Sequence, residues 1–324
     1  MKIGIIGAGS IAAIIPNTCC KLKEAESYAV ASRSLEKVEA FAKKYGIPKA
    51  YGCYEDLLKD KDVDLVYIAT PHSHHFEHMK MCLKYGKNIL CEKAFTMNAK
   101  QTEEIIELAK GKNLYIAEAI WTRYMPSRKI INDVIASGII GNVHVLTANL
   151  AYEMKKKTRL ITPELAGGAL LDVGVYPINF ALMHFGKDIE RVESSVQMTS
   201  EGVDGYESIT IFYRDGKIAQ LTSSLYARSD RKGIIWGDKG YIVVENINNP
   251  NAINVFDSND KLIKSCEIPS QISGYEYEIL EAENQIKAGM TESVSMPLEE
   301  SLYVMKFMDN LRKDWKLVYP QEKC

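Results

Sequence analysis

The sequence lacks the features that mark a membrane protein or a nucleic-acid-binding protein. Its formal net charge is only −2, so no excess of one sign draws the whole molecule toward nucleic acid or an anionic membrane surface. No apolar run approaches the roughly 20 residues that span a bilayer. The chain enters a strand-like segment within its first residues, which leaves no room for a cleavable signal. We therefore predict a cytoplasmic protein with neither nucleic acid nor a membrane as its partner.

Cysteine is sparse and shows no recognisable spacing. The seven cysteines are odd in number and form no CxxC pair. This pattern indicates reduced thiols, with a surface disulfide as the weaker alternative.

A cluster of histidines is the one group that suggests a metal, and it comprises His72, His74, His75 and His78. His74 and His78 would share one face of a helix. No acidic residue or cysteine lies nearby at ligand spacing, so a complete ligand set is missing. We predict no metal and interpret the cluster as the lining of a binding pocket.

What the sequence does contain is the composition and length of a two-domain globular protein. Its 324 residues are 46% hydrophobic and 25% charged, a balance typical of folded soluble chains. Residues 1–120 alternate short apolar strand candidates with helical patterns, at 2–6, 28–31, 65–69, 88–91 and 114–117 for the strands and 11–22, 35–45, 54–59, 73–85 and 99–109 for the helices. This alternation predicts a doubly wound parallel sheet, an α/β Rossmann domain.

The pattern changes after Trp121. A helix over 126–137 precedes longer alternating strands at 143–152, 208–213, 217–225, 234–236, 241–245 and 254–256, and helices over 274–288 and 297–314 follow. Asp215-Gly216 is the strongest short hairpin signal in the chain. Residues 121–324 are therefore predicted to form an α+β domain with a large, mainly antiparallel, open-faced sheet that binds the substrate and mediates oligomerisation.

A glycine-rich turn follows the first predicted strand and opens the first predicted helix. It comprises Gly7, Ala8, Gly9, Ser10, Ile11 and Ala12. The first glycine permits a tight turn, the second lets a pyrophosphate approach the backbone, and Ala12 is small enough for the helix to pack on the strand. Phosphate would sit on free N–H groups at the positive end of the helix. The motif predicts dinucleotide binding, the alternative being a plain glycine turn.

The end of the second predicted strand favours NADP over NAD. An NAD enzyme usually places an acidic residue about 20 residues after the glycines, where it binds the ribose hydroxyls. Ser32 and Arg33 stand here instead, and Lys37 follows one turn later. A hydroxyl and cations suit a 2′-phosphate, whereas a carboxylate would repel it. The alternative is that Arg33 stacks on the adenine and discriminates little, so NAD remains possible.

Two further segments leave the carboxyl ends of predicted strands, where ligands of open α/β sheets bind. They are Thr70-Pro71-His72, with His75 close behind, and Glu92-Lys93. A lysine that enters such a crevice beside a glutamate can act as a charged hydrogen-bond donor. A solvated surface lysine is the alternative interpretation of Lys93.

In the second predicted domain, paired glycines precede an acid and a tyrosine. Gly167 and Gly168 lead into a helix that would place Asp172 and Tyr176 on one face, although Gly174 and Pro177 make that helix irregular. The alternative for Tyr176 is a core tyrosine with a satisfied hydroxyl.

Taken together, these motifs resemble the Gfo/Idh/MocA family of NAD(P)-dependent oxidoreductases, from Ile3 to Pro320. Within it the chain is most similar to the branch of trans-dihydrodiol dehydrogenases and NADP-dependent D-xylose dehydrogenases. The similar segments are 4–9, Thr70-Pro71 with His75, Glu92-Lys93, 118–124, 168–176, 296–298 and Tyr319-Pro320. The chain departs from the family pattern at Ala94, where proline is usual, and at His72, where asparagine is common.

The resemblance implies a hydride transfer between the cofactor and a sugar- or diol-like molecule. It implies that Tyr176 is the general acid/base, that Lys93 is its electrostatic partner and that Asp172 supports them. Trp121 and Arg123 would border the substrate, and the second-domain sheet would mediate a homodimer or a higher homo-oligomer. A positive charge near Tyr176, from Lys93 and the oxidised nicotinamide, would favour the phenolate.

The sequence leaves two other functions open. A non-catalytic NADP-binding sensor could keep the same fold, because fold alone does not imply function. A phosphorylated sugar could also be the substrate, since 155–157 are lysines followed by Arg159, although such a run of charge is more often a solvated loop.

Overall fold

The computed structural model describes residues 1–323 and divides them into two compact units. The first unit contains Met1–Tyr124 and Gln271–Lys306, and the second contains Met125–Ser270 and residues 307–323. This division differs from the predicted 1–120 and 121–324, because residues 271–306 return to the first unit and Trp121 and Arg123 belong to it as well.

The first unit is built on a six-stranded parallel sheet whose strands lie in the order β3-β2-β1-β4-β5-β6. The strands are β1 Lys2–Ile6, β2 Glu26–Ala31, β3 Lys49–Tyr51, β4 Leu65–Ile68, β5 Asn88–Glu92 and β6 Ile116–Ala119. The helices that alternate with them are α1 Ile14–Cys19, α2 Leu35–Tyr45, α3 Tyr54–Lys59, α4 His72–Lys84 and α5 Ala99–Ala109. A 3₁₀ turn, Trp121–Arg123, follows β6. The predicted Rossmann architecture is confirmed.

The apolar character of these strands follows from burial on both faces of the sheet. Ile3, Ile5 and Tyr67 belong to the core on one face, whereas Ile6 and Val66 belong to the core on the other. Strands that alternate between two cores need apolar residues at every position, which produces continuous apolar runs. The short strand β3 was not predicted, because its three residues are only half-buried and form no apolar run.

The second unit is built on an eight-stranded sheet in the order β14-β13-β12-β11-β7-β10-β9-β8. Its elements up to residue 270 are α6 Pro126–Ala136, α7 Thr158–Ile161, α8 Val175–Phe185, β7 Val143–Ala151, β8 Ile189–Met198, β9 Asp204–Tyr213, β10 Ile218–Ser224, β11 Gly233–Gly237, β12 Gly240–Glu245, β13 Ala252–Asp257 and β14 Leu262–Cys266. Short 3₁₀ helices cover Pro163–Leu165 and Pro320–Glu322. All neighbouring strands are antiparallel except β7 and β10, which pair in parallel. The predicted mainly antiparallel sheet is confirmed.

The two faces of this second sheet differ in polarity. Along β7, Leu146, Ala148 and Leu150 are buried, and the residues between them, Thr147 and Asn149, are half-buried. The predicted hairpin at Asp215-Gly216 joins β9 to β10, with the Tyr213 N–H donating to the Lys217 carbonyl at 2.9 Å.

One segment of the second unit, Pro163–Phe185, is long and apolar enough to cross a bilayer by length and composition. This corrects the expectation that no apolar run reaches that length. Its most apolar window is 94% buried within the structure, so the apolar character is accounted for by packing in the core.

Two long helices close the chain, α9 Glu276–Lys287 and α10 Leu298–Asp314. The buried side chains of Ile279 and Ala282 on α9 join the same core as Ile3 of β1. The Ile116 N–H also donates to the Thr291 carbonyl at 3.0 Å, where the chain after α9 meets the start of β6. These contacts explain why residues 271–306 belong to the first unit.

Candidate active site

The glycine turn after β1 is packed too tightly for any side chain at its first position. Gly7 has φ +113°, and a Cβ there would lie 2.6 Å from the carbonyl oxygen of Ala69. At Gly9, by contrast, a Cβ would meet nothing within 4 Å. Gly7 therefore packs against the end of β4, whereas Gly9 leaves open space beside the backbone. A pyrophosphate needs such space to approach the turn.

The helix after this turn is shorter than predicted. Regular α-helix begins at Ile14 instead of Ile11, and Ser10, Ile11 and Ala12 form turns before it. The Ile14 N–H donates to the Ile11 carbonyl at 3.0 Å. The N–H groups offered to a phosphate thus come from a turn that leads into the helix.

At the end of β2, Ser32 organises the start of the next helix. Its hydroxyl donates to the Ser34 carbonyl at 2.9 Å, and Ser34 caps α2 by accepting from the N–H of Lys37 at 3.3 Å. The side chains of Arg33 and Lys37 are exposed. Two cations and a hydroxyl therefore stand at this edge, and no acidic residue occupies 31–34, an arrangement that fits a 2′-phosphate.

The segment after β4 is held to the segment after β5 by one buried histidine. The imidazole of His75 lies 2.8 Å from the Thr70 carbonyl and 2.8 Å from the Ala94 carbonyl. Burial lowers the pKa of His75 to about 4, outweighing the two carbonyls that favour the protonated form. His72 is buried, with its ring centroid 5.8 Å from that of His75. Pro71 precedes α4 as its N-cap residue.

The side chains of His74 and His78 form hydrogen bonds with hydroxyl groups of the same segment. His78 Nδ1 lies 3.0 Å from the Thr70 hydroxyl, and His74 Nδ1 lies 2.8 Å from the Ser73 hydroxyl. Within residues 1–323, no group of three or more His, Cys, Asp or Glu side chains is arranged to hold a metal ion.

At the end of β5, Glu92 is buried and Lys93 is half-buried. Oε1 of Glu92 accepts a hydrogen bond from the Tyr67 hydroxyl, and Oε2 accepts from the Lys93 backbone N–H at 3.3 Å. The Phe95 N–H donates to the buried Glu118 carboxylate at 3.1 Å. Together with His75 on Ala94, these bonds fix the segment that carries Lys93.

The two residues predicted to border the substrate are buried in the first unit. The ring of Trp121 stacks on Tyr275, with centroids 4.2 Å apart and an interplanar angle of 22°. The Arg123 guanidinium lies 3.0 Å from the Glu300 carboxylate. Both partners come from residues 271–306, which were predicted, like Trp121 and Arg123 themselves, to belong to the second domain and which lie in the first unit.

In the second unit, Asp172 lies in a π-helical turn, Leu170–Gly174, that runs directly into α8. The irregular helix predicted there is confirmed. Asp172 Oδ1 accepts from the Arg159 guanidinium at 3.0 Å, so at least one of the charges at 155–159 has a structural partner. Tyr176 follows on the first turn of α8 and is 8% exposed.

Two buried acids on β9, Asp204 and Glu207, lie against this turn, and neither was predicted from the sequence. The Asp204 carboxylate accepts from the Leu170 N–H at 2.5 Å, and Glu207 accepts from the Ser223 hydroxyl. A Cβ at Gly168 would overlap the Asp204 carboxylate, and one at Gly174 would overlap Glu207. The glycines therefore make room for the acids. No sequence signal marked these acids, because a polar residue in a strand pattern normally faces water.

The structure thus brings most of the predicted site residues to two places. The glycine turn, Ser32, Arg33, Thr70, Glu92 and Lys93 all lie at the carboxyl ends of the first unit's parallel strands. Asp172 and Tyr176 lie at the start of α8 in the second unit. At the strand ends of the first unit, Arg33 and Lys37 are exposed cations that would attract an anion. At the start of α8 in the second unit, the charged groups are Arg159 and nearby buried carboxyls.

Comparison with known proteins identifies the family. Residues 1–119 match a model described as the oxidoreductase family with an NAD-binding Rossmann fold, and residues 129–243 match the GFO/IDH/MocA C-terminal domain. The chain is 35% identical to trans-1,2-dihydrobenzene-1,2-diol dehydrogenase of Xenopus tropicalis over 98% of its own length and 99% of the relative's. It is 31% identical to the Mus musculus enzyme of the same name over 100% of its length and 99% of the relative's.

Solved structures share the fold. A 3-ketoreductase from Actinomadura kijaniata, in complex with NADP and TDP-benzene, superposes with a TM-score of 0.88 at 24% identity, covering 97% of both chains. An aldose-aldose oxidoreductase from Caulobacter crescentus gives a TM-score of 0.87 at 18% identity, covering 98% of this chain and 97% of that one. The sequence matches over both halves confirm the predicted resemblance. The chain belongs to the Gfo/Idh/MocA family of oxidoreductases.

Proposed function

We propose that the protein transfers a hydride between NADP(H), with NAD(H) as a possible substitute, and a CH–OH or carbonyl group of a sugar- or diol-like small molecule. One observation carries the proposal: the glycine turn, Arg33 and Lys93 all stand at the carboxyl edge of one parallel sheet. This edge is where open α/β sheets bind dinucleotides. The names of the relatives, diol dehydrogenases and sugar oxidoreductases, support the substrate class.

The cofactor would be held by residues already described. The turn from Gly7 to Ile11 would take the pyrophosphate, and Ser32, Arg33 and Lys37 would take the 2′-phosphate. The segments at 70–75 and 92–93 would lie beside the nicotinamide. Structures of the Actinomadura kijaniata 3-ketoreductase with NADP support the preference for that dinucleotide.

The proposed chemistry needs one proton-transfer group and one cation at the reacting oxygen. The nicotinamide, when bound, would supply or accept the hydride. In the oxidising direction, the hydride leaves the carbinol carbon with the C–H electron pair, and the O–H proton passes to the oxygen of Tyr176 as the C=O bond forms. Lys93 would donate a hydrogen bond to the substrate oxygen, and a positive charge there would favour the phenolate of Tyr176. Asp172, held by Arg159, supports the tyrosine helix. Carbonyl reduction reverses these steps.

A spectrophotometric survey tests this function. The protein is incubated with NADPH or NADH and a panel of sugars, diols and small carbonyl compounds, in both reaction directions. We expect a cofactor-dependent absorbance change with at least one member, faster with NADPH than with NADH because Arg33 and Lys37 attract the 2′-phosphate. Faster reaction with NADH would contradict the cofactor preference. No change across the whole panel, with NADPH binding intact, would favour the non-catalytic sensor.

A further inference from the structure

Next to the segment that carries Lys93 lie three buried side chains, those of Tyr67, Glu92 and Glu278, of which the proposed chemistry leaves Tyr67 and Glu278 unused. Tyr67 on β4 donates its hydroxyl hydrogen to Oε1 of Glu92, at the end of β5. Glu278, on the first turn of α9, is fully buried. It lies beside Tyr67, and its charge would raise the pKa of that phenol, as burial and Glu92 also do. All three belong to the first unit.

The available donors decide which of the two carboxyls is ionised. Glu92 accepts from the Tyr67 hydroxyl and from the Lys93 N–H. In the part of the chain that the structure describes, neither carboxyl oxygen of Glu278 has a hydrogen-bond partner. The Tyr67 hydroxyl lies near enough to favour the ionised form of Glu278, but its single hydrogen is donated to Glu92. A buried carboxylate without donors is strongly disfavoured, whereas one with donors is stabilised. The negative charge therefore belongs on Glu92, and Glu278 keeps its proton.

The other titratable groups around Glu278 support this assignment. Tyr115 and Tyr124 are close enough for an ionised Glu278 to raise their pKa values, and Tyr275 lies near Tyr67. Burial raises the pKa values of Tyr115 and Tyr124, so both are neutral phenols at neutral pH. Burial first, and then the charge of Glu92, raise the pKa of Glu278 well above its ordinary value.

We propose that Glu278 and Tyr67 are positioning residues for Lys93. A protonated Glu278 keeps the single negative charge of these three side chains on Glu92, and Tyr67 anchors that charge against the Lys93 backbone. The inference rests on the proposed role of Lys93 in hydride transfer. Without the Tyr67 hydroxyl, Glu92 loses a donor and its charge is no longer fixed beside Lys93. Since a small displacement of a reacting group lowers the rate steeply, turnover depends on these three side chains.

The test compares Tyr67→Phe with Tyr28→Phe. Tyr28 is a matched control because it is also buried in the first unit and donates to a carboxylate, that of Asp62, at 2.9 Å. We expect Tyr67→Phe to lower kcat about ten- to a hundredfold and to change its pH profile, while the Kd for NADPH stays close to the wild-type value. Tyr28→Phe should leave kcat and its pH profile unchanged. Equal kcat values in the two variants would overturn the inference.

Glu278→Gln tests the protonation state itself. Glutamine is neutral and similar in shape to a protonated glutamate, so this variant should keep kcat within about twofold. The infrared carbonyl band of a protonated carboxylic acid should be present in the wild type at neutral pH and weaker in Glu278→Gln. An unchanged band, or a loss of turnover as large as that of Tyr67→Phe, would contradict the assignment.

A labelling experiment separates this inference from the proposed function. Acylation of Lys93 by an amine reagent, followed by mass spectrometry, needs no turnover. It should be faster in Tyr67→Phe than in Tyr28→Phe, because the lysine segment is less firmly held. Equal labelling in an active enzyme removes the positioning role and leaves hydride transfer standing. Faster labelling in a protein that turns over no substrate keeps the positioning role and removes the proposed reaction.

Discussion

The buried acids of the two units differ in how their charge is balanced. In the first unit, Glu92 accepts from the Tyr67 hydroxyl and from the Lys93 N–H, whereas Glu278 has no hydrogen-bond partner among residues 1–323. In the second unit, burial raises the pKa of Asp204 to about 6, although the Leu170 N–H and the charge of Arg312 favour its ionised form. Glu207 is pushed toward its neutral form by burial and by Asp204. Both units therefore pair a carboxyl that has several favourable partners with one that has fewer, since Glu207 accepts only the Ser223 hydroxyl among the described residues. Burial alone does not decide which acid is charged.

The two units also differ in how space is made for these acids. In the first unit the carboxyls come from separate elements, β5 and α9, and pack around Tyr67. In the second unit they lie three residues apart on β9, directly against Gly168 and Gly174. The turn that precedes Tyr176 thus depends on the absence of two Cβ atoms.

The largest expected effect tests that dependence. Gly168→Ala should destabilise the protein by about 3–5 kcal/mol, because φ +116° strains alanine and the new Cβ overlaps Asp204. The matched control is Gly202→Ala, which has φ +89° but meets nothing within 4 Å, and should cost only about 1–2 kcal/mol. Urea unfolding followed by circular dichroism measures both. Equal costs would show that the carboxylate overlap is unimportant.

A smaller effect is expected from pH, through Glu118 of the first unit. Burial raises the pKa of Glu118 from 4.5 to about 7. A carboxyl whose pKa is higher in the folded state stabilises that state fully below its unfolded pKa and loses this contribution as the pH rises through its folded pKa. The free energy of unfolding should therefore fall between about pH 4.5 and 7, by about 3 kcal/mol in total.

Two neutral variants assign this pH dependence to the separate units. Glu118→Gln should flatten the part of the stability profile that comes from the first unit. Asp204→Asn should flatten a further part, because burial also raises the pKa of Asp204. If both variants kept the wild-type slope, the buried acids would not be its source.

Much of the first unit could be predicted from sequence because its strands are buried on both faces. β1, β4 and β5 are continuous apolar runs, and the glycine turn is recognisable from spacing alone. β8 and β14 were missed, because both are edge strands of the second sheet with mostly polar or exposed residues. Residues 271–306 were misassigned, since order along the chain does not reveal which sheet a late helix packs against.

The buried acids could not be predicted because a charged residue in a sequence is normally solvated. Glu118, Asp204 and Glu207 sit within strand patterns where polar positions usually face water. Glu278 offered a signal, since Tyr275, Ile279 and Ala282 mark the buried stripe of α9 and Glu278 lies within it. An acid inside an apolar stripe indicates either a buried partner or a bound proton.

The most direct test of the account is the pre-steady-state rate of NADPH oxidation by a Tyr176→Phe variant with a substrate found in the survey. Loss of the proton-transfer group should lower this rate about 10²–10⁴-fold, and the Kd for NADPH should stay at the wild-type value because the dinucleotide is held by the first unit. Lys93→Met should give a loss of the same kind. A wild-type rate in Tyr176→Phe would remove the phenol from the mechanism, and with it the proposed hydride transfer.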